Sequence, residues 1–272
     1  MPELPEVETT RRGLAPHLLG KRIRTAIVRN AAMRQPVPKK LPQLVAGTTI
    51  ERVERRAKYL LIGCGTGTLI IHLGMSGRLW LVDAKASADT HDHFDLVLDN
   101  DTAVRLRDPR RFGLVLWATG DPLAHPLLAR IGPEPLARDF DGRVLYDATR
   151  NRTAAVKLVL MDSHVVAGVG NIYASEALFR ARINPKIAAH RVSRARYELL
   201  AEKVKETLEA AIQAGGSTLR DYVGGDGRAG YFQNEHLVYD RAGEPCYTCG
   251  AAIREIKQGQ RATFYCAVCQ RR

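Results

Sequence analysis

Short runs of strand character, with apolar positions in each, follow one another from Lys21 to Ala118, and the runs stop at Gly, Asp or Asn. They predict strands over 22–29, 49–56, 59–63, 68–73, 78–82, 94–98, 103–107 and 114–117. Asp99-Asn100-Asp101 has the residue types of a hairpin turn, and 31–42, with three prolines, reads as a loop. Short strands in this number, separated by turn signals, imply a β-sandwich or barrel-like domain.

On either side of this region the period is helical. Residues 2–19 carry Pro5, Glu3, Glu6 and Glu8 at the start and Arg11 and Arg12 further on, an order that complements a helix dipole. Gly132-Pro133-Glu134-Pro135 marks a domain boundary. Beyond it, Thr153 is placed to cap a helix over 154–164, and Asn171 to cap another over 172–181. A third helix, 195–214, aligns Leu200, Val204, Leu208 and Ile212 on one core-facing stripe, and Gly215-Gly216 stops it. The glycine-rich stretch 218–240 is long for a loop and suits a mobile cover over a substrate.

Composition narrows the partner. The 272 residues have room for two or three domains, and no apolar run approaches the ~18 residues of a membrane span. The N-terminus lacks an apolar signal core, so a cytoplasmic location is expected. Lys and Arg outnumber Asp and Glu 41 to 29, a net charge of +12 that points to a polyanion, nucleic acid first. Four of the five cysteines form Cys246-x2-Cys249-x16-Cys266-x2-Cys269, the spacing of a zinc ribbon. Four thiolates close the coordination shell, so one structural Zn2+ is expected, with no place for an activated water. No organic cofactor and no oligomer is indicated, and a monomer is expected. Cys64, within a strand pattern, reads as a small core residue.

Several residue groups carry candidate chemistry. Removal of Met1 ahead of a small residue would leave Pro2 with a free secondary amine. An α-amino group titrates near ~8 against ~10.4 for lysine, so it is more often the neutral nucleophile that attacks a sugar aldehyde. Glu3 and Glu6 stand beside it as proton carriers, although Pro and Glu also simply open helices. Lys58 lies at a strand edge, as a cation aimed into a cleft or an ordinary edge lysine. Met75, in Gly74-Met75-Ser76-Gly77, is a wedge for a base stack or a core residue. His91, His93 and Asp95 alternate on one strand face, as a metal triad, as phosphate contacts or as satisfied histidines. Asp108-Pro109-Arg110-Arg111-Phe112-Gly113 sets two arginines and an aromatic on a turn, suited to gripping a duplex. Lys157 is a phosphate-reaching or snorkelling lysine, and Gly168-Val169-Gly170-Asn171 offers backbone donors at a helix start. Lys257, Arg261 and Thr263 lie on the hairpin between the cysteine pairs, either a solvated tip or a DNA contact.

Read together, these segments resemble the bacterial formamidopyrimidine-DNA glycosylases, also called 8-oxoguanine DNA glycosylases. The resemblance rests on Pro2-Glu3-Leu4-Pro5-Glu6-Val7-Glu8-Thr9, Arg56-Ala57-Lys58-Tyr59-Leu60, His72-Leu73-Gly74-Met75-Ser76-Gly77, Asp108 to Gly113, Gly168-Val169-Gly170-Asn171-Ile172-Tyr173, and the ribbon with Gln260 to Cys266. It implies an α+β multidomain fold: an N-terminal β-sandwich with an N-terminal helix (1–131), a helix–two-turn–helix domain (132–223), and a lesion loop with a four-cysteine zinc finger (224–272). Damaged double-stranded DNA is the implied partner, held in a cleft between the halves. Pro2 is then the Schiff-base nucleophile and Glu3 the general acid/base. Lys58 becomes the proton donor for β-elimination and Arg261 that for δ-elimination. His91, Arg110, Arg152, Lys157 and Asn171 bind DNA, and Met75, Arg110 and Phe112 fill the void left by the flipped base. Glu6 organises the lesion pocket, and Cys246, Cys249, Cys266 and Cys269 hold the metal. The sister endonuclease VIII activity, directed at oxidised pyrimidines, is the nearest rival; Leu4, the Met75/Arg110/Phe112 set and the long 218–233 stretch favour the formamidopyrimidine branch. A non-catalytic zinc-ribbon DNA-binding protein would match the charge and cysteines but gives no reason for Pro2 beside Glu3.

Overall fold

The computed structural model describes residues 1–65, 67–217 and 232–271. The chain divides into two compact units, one of Met1–Ala129 with the stretch from Ala214, the other of Arg130–Gln213 with the stretch from Phe232.

The first unit opens with α1 (Leu4–Leu18). Pro5 lies in its first turn, where a missing N–H costs nothing, and the Glu6 carboxylate turns back to accept the Glu3 N–H at 2.8 Å. Leu4, Val7, Leu14 and Leu18 are buried along one side. Eight strands follow: β1 (Ile23–Val28), β2 (Ile50–Arg56), β3 (Tyr59–Cys64), β4 (Gly67–His72), β5 (Arg78–Asp83), β6 (Asp92–Leu98), β7 (Thr102–Arg107) and β8 (Leu114–Ala118). They form two antiparallel four-stranded sheets, ordered β1-β6-β7-β5 and β2-β3-β4-β8. Ile23, Phe94, Leu96 and Leu106 of one sheet and Leu60, Ile62, Leu69 and Ile71 of the other share one core cluster, to which Leu14 and Leu18 of α1 also belong. This is the expected sandwich with its N-terminal helix. Cys64 is a buried free thiol, pushed up to about 11 by burial, as an inert core residue should be. The proline-rich stretch is mostly loop, but a short α2 (Leu41–Val45) starts at its end, with Pro42 in the first turn.

The second unit is helical. Its first helix, α3 (Gly142–Thr149), is not predicted from the sequence pattern; Asp141 caps it by accepting from Val144 N at 3.0 Å. A Cβ on Gly142 would lie 2.3 Å from Glu198 Cα, so glycine is what lets α3 approach the long helix α6 (Arg194–Gln213). The expected helix over 154–164 is only α4 (Val156–Leu160), and Thr153 does not cap it. The start of α4 is set instead by tertiary pairing: Val156 N donates to Ile187 O at 2.7 Å, and Ala155 bridges Ala188. The chain then turns at Asp162, whose side chain accepts from His164 N at 3.0 Å. Helix α5 (Asn171–Arg180) takes Gly170, not Asn171, as its N-cap residue, because the Asn171 side chain is used elsewhere. Helix α6 ends as expected before Gly215 and Gly216, which adopt φ of 79° and 85°. The hairpin of β9 (Arg254–Gln258) and β10 (Arg261–Tyr265) lies between the cysteine pairs. The glycine-rich residues 218–231 lie outside the described residues. No helix among the described residues is long and apolar enough to cross a membrane.

Candidate active site and metal site

The start of α1 is a buried acidic corner. Pro2, Glu3, Glu6 and Glu8 are all withdrawn from solvent. The two Glu6 oxygens are divided between two backbone donors, Glu3 N and Ser217 N, each at 2.8 Å. Its carboxylate thereby ties the N-terminal residues to the stretch that follows Gly216. A Cβ on Gly216 would lie 3.2 Å from Glu6 Oε1, on a backbone that L residues rarely adopt. Burial opposes ionisation of Glu8, but hydrogen bonds from Arg11 and Arg12 and the charges of Arg11 and Arg55 outweigh it and hold the carboxyl below its usual range. Arg55 reaches Glu8 at 3.3 Å and also donates to Ala57 O at 2.9 Å. This connects α1 to the tight β2–β3 turn, where Ala57 has φ 52° and Lys58 is half-buried.

Burial first, then the charges of Lys58 and Arg34, pushes His72 down to about 4. It is therefore neutral near pH 7. Its Nδ1 accepts the Gly74 N–H at 2.9 Å, which leaves the proton on Nε2. Sequence alone assigns His72 no role of its own; only the fold sets it beside Lys58 and against the Tyr59 ring, 4.8 Å away.

His72 leads into the Met75 turn, and buried Asp108 locks that turn to the arginine turn. Asp108 accepts from Ser76 Oγ at 2.9 Å and from Gly113 N at 2.7 Å. A Cβ on Gly74 would come within 2.5 Å of Gly113 N, so the two turns lie backbone to backbone. Met75, Arg110 and Phe112 are thus gathered on one surface, with the Arg110 guanidinium 4.9 Å from the centroid of the exposed Phe112 ring. His91 is exposed near this edge. The metal-triad reading of His91, His93 and Asp95 fails. His93 Nε2 is on Asp108 O at 3.0 Å, and the oxygens of fully buried Asp95 are held by Arg29 and Arg105.

In the second unit Lys157 is fully buried. Its ammonium donates to Asn171 Oδ1 at 2.7 Å, Ala262 O at 2.9 Å and Thr263 Oγ1 at 2.7 Å. An ammonium has three N–H donors, and these bonds employ all of them. Lys157 is therefore placed to position Asn171 and β10. Asn171 Nδ2 approaches Tyr239 Oη at 3.4 Å. Glu176, also fully buried and absent from the sequence-predicted set, accepts the N–H groups of Leu237, Val238 and Tyr239, each at 2.9 Å. Arg261 opens β10 exposed to solvent after Gly259 and Gln260, which have φ of 52° and 64°. Arg152 is exposed, 3.6 Å from Asp162.

Cys246, Cys249, Cys266 and Cys269 are free thiols whose sulfurs all lie within 4.8 Å of one another. With Zn–S bonds of ~2.3 Å a tetrahedron has S···S edges of roughly 3.8 Å, and the Cys246–Cys269 and Cys249–Cys266 pairs stand at 3.9 and 3.5 Å. The donor set fits one structural zinc. No other group of three or more His, Cys, Asp or Glu among the described residues could hold a metal.

Comparison with known proteins agrees along the chain. Residues 1–115 match the formamidopyrimidine-DNA glycosylase N-terminal domain, 131–223 the H2TH domain of that enzyme, and 243–272 the zinc finger found in FPG and IleRS. The formamidopyrimidine-DNA glycosylase of Stutzerimonas stutzeri (strain A1501) is 58% identical over 271 residues, and that of Pseudomonas putida (strain GB-1) 56%, both with 100% of each chain covered. The crystal structure of the MutM (Fpg) protein of Thermus thermophilus superposes with a TM-score of 0.89 at 38% identity, covering 99% of this chain and 98% of that one. The Lactococcus lactis Fpg in complex with abasic-site DNA superposes with a TM-score of 0.92 at 36% identity over 100% of both chains. A buried Pro-Glu corner, two turns joined by Asp108 and a four-cysteine ribbon, matched to these relatives from end to end, establish that the chain belongs to the formamidopyrimidine-DNA glycosylase family.

Proposed function

We propose that this DNA glycosylase excises oxidised purines, 8-oxoguanine and formamidopyrimidines, from duplex DNA and then cleaves the strand by β,δ-elimination. The observation that carries the reading is the buried corner in which Pro2 adjoins Glu3 at the start of α1. A helix N-terminus disfavours a protonated amine there, so once Met1 is removed the Pro2 nitrogen is held as a nucleophile. It attacks C1′ of the damaged nucleotide, the base departs, and an iminium remains. Glu3 assists opening of the deoxyribose ring and later proton transfers. The iminium draws electrons from C2′, so loss of that proton expels the 3′ phosphate, and a second elimination expels the 5′ phosphate. Lys58 serves as proton donor in the first elimination and Arg261 in the second.

A base inside a duplex must leave the stack before its glycosidic bond is accessible, at about a few kcal/mol. Met75, Arg110 and Phe112, gathered by Asp108, are suited to occupy the vacated space. His91, Arg110, Arg152 and Asn171 provide DNA contacts, with Lys157 acting through Asn171 and β10. Glu6, fixed to Ser217 N, organises the lesion pocket. The zinc, when bound, supplies the fold of the ribbon and takes no part in the chemistry. The proposed domains are the catalytic sandwich at 1–131, the helix–two-turn–helix domain at 132–223 and the lesion loop with zinc finger at 224–272.

Excision measured on duplexes carrying 8-oxoguanine opposite cytosine or thymine glycol tests the substrate choice. The 8-oxoguanine duplex should be processed faster, and Glu3→Gln should bind it yet lose excision. Preference for thymine glycol would transfer the chain to the pyrimidine branch, and undiminished excision by Glu3→Gln would remove Glu3 from its role.

A further inference from the structure

The second unit carries a trough whose cations none of the roles above uses. A cavity of about 690 Å³ is lined by Thr153, Lys186, Ile187, Ala188, His190, Arg191 and Arg196. An adjoining one of about 480 Å³ shares Arg196, adds Arg182 and Arg271, and borders the metal-site residue Cys269, so that only the cations of the trough lie outside the roles above. No carboxylate among the described residues lies within salt-bridge distance of Lys186, Arg191, Arg196 or Arg182, although ion pairs are common elsewhere on this surface.

The walls are built rather than incidental. Arg150 donates to His190 O at 2.8 Å and to Val192 O at 3.1 Å. Ala189 N donates to Ala154 O at 2.9 Å, and His190 Nδ1 lies 3.1 Å from Arg152 O. Lys186 Nζ donates to Tyr265 Oη at 3.0 Å, and Arg196 Nη2 to Arg182 O at 3.3 Å. Lys186 and the buried Lys157 thus each hold a hydroxyl of β10, on residues two apart and so on one face of the strand. The trough therefore adjoins the elements assigned to DNA contact without sharing their residues.

We infer that this trough is an accessory site for the phosphodiester backbone of DNA, outside the lesion site. Several cations without counter-carboxylates, gathered in one open channel, match a polyanion better than a compact apolar ligand. Continuity past Arg196 to Arg182 and Arg271 suits a strand rather than a single phosphate. The inference rests on the reading of the chain as a DNA glycosylase.

The test is the salt dependence of binding to an undamaged 30-base-pair duplex, with Arg191→Gln/Arg196→Gln compared against Arg138→Gln/Arg143→Gln. The second pair removes two exposed cations outside the trough. Each lost phosphate contact should lower the slope of log K against log salt by about 0.9, so the trough variant should lose about two and the control almost nothing. Single-turnover excision from a short lesion duplex at saturating enzyme should be the same in all three proteins. Equal slopes for both variants would overturn the accessory site, as would collapse of excision in the trough variant, which would assign these arginines to the lesion site. Inorganic tripolyphosphate bound by the native protein and not by the trough variant, with unchanged DNA slopes, would also overturn it in favour of a small anion. A native protein that neither binds nor excises damaged DNA sinks the glycosylase reading itself; intact excision with unchanged slopes sinks only the trough.

Discussion

Both units hold their candidate site residues in place with buried charge, by carboxylates in the first and by an ammonium together with a carboxylate in the second. In the first, carboxylates do the holding. Glu6 gathers two backbone N–H groups at the α1 start, and Asp108 ties the Met75 turn to the Arg110–Phe112 turn. In the second, the buried Lys157 ammonium joins α5 to β10, while Glu176 gathers three N–H groups at 237–239. A buried ion is tolerable only when its hydrogen bonds are made, and each of these ions makes several. Asp108 and Lys157 differ in reach. Asp108 closes a local turn on Gly113, five residues on, whereas Lys157 spans 105 residues to Ala262. Asp108 finds both its partners within the sandwich, whereas Lys157 depends on the ribbon being folded.

That dependence can be broken at the metal, where the largest effect is expected. Apparent zinc-binding energies in small ribbons are ~10–16 kcal/mol and are folding energy. Cys249→Ser should lose zinc and the amide-exchange protection of β9 and β10, and DNA binding with it, while exchange in β3 and β4 stays native. Retained binding without zinc would make the ribbon peripheral.

Next comes Lys157→Ala, which removes a buried ammonium from three acceptors, one of them buried, and should destabilise the second unit by about 3 kcal/mol in denaturant unfolding. Unchanged stability with a salt slope lowered by about one would instead make Lys157 a direct phosphate ligand.

The smallest expected effect is a pH dependence in the first unit. His72 has its folded value lowered from 6.5 to about 4. Between these values the unfolded chain binds more protons, so this contribution is complete above pH 6.5 and lost as pH falls toward 4. With the ring half-buried, about 1–2 kcal/mol should disappear across that window, and His72→Gln should flatten it. An identical pH profile in the variant would assign the acid sensitivity elsewhere.

Much of this architecture is legible in the sequence because it repeats or is local. Short runs that stop at Gly, Asp or Asn mark the strands of the sandwich, for example the apolar runs of β4 and β8. The cysteine spacing marks the ribbon, because metal geometry fixes it. What escapes is tertiary. Nothing near Thr153 announces that pairing with residues 187–188 starts α4, and nothing near Lys157 announces acceptors at 262 and 263. Helix α3 escapes although its Asp141 cap is in view, because its eight residues show no long apolar stripe. His72 escapes because its neutral state comes from burial and from Lys58 across the β2–β3 turn.

Every proposed chemical step begins at the Pro2 nitrogen. Borohydride reduction during reaction with an abasic-site duplex, followed by mass mapping of the adduct, tests it most directly. A chain lacking Met1 and bearing the DNA on the Pro2 nitrogen is the predicted result. Retention of Met1 in active protein, or an adduct mapped to a lysine such as Lys58, would contradict it.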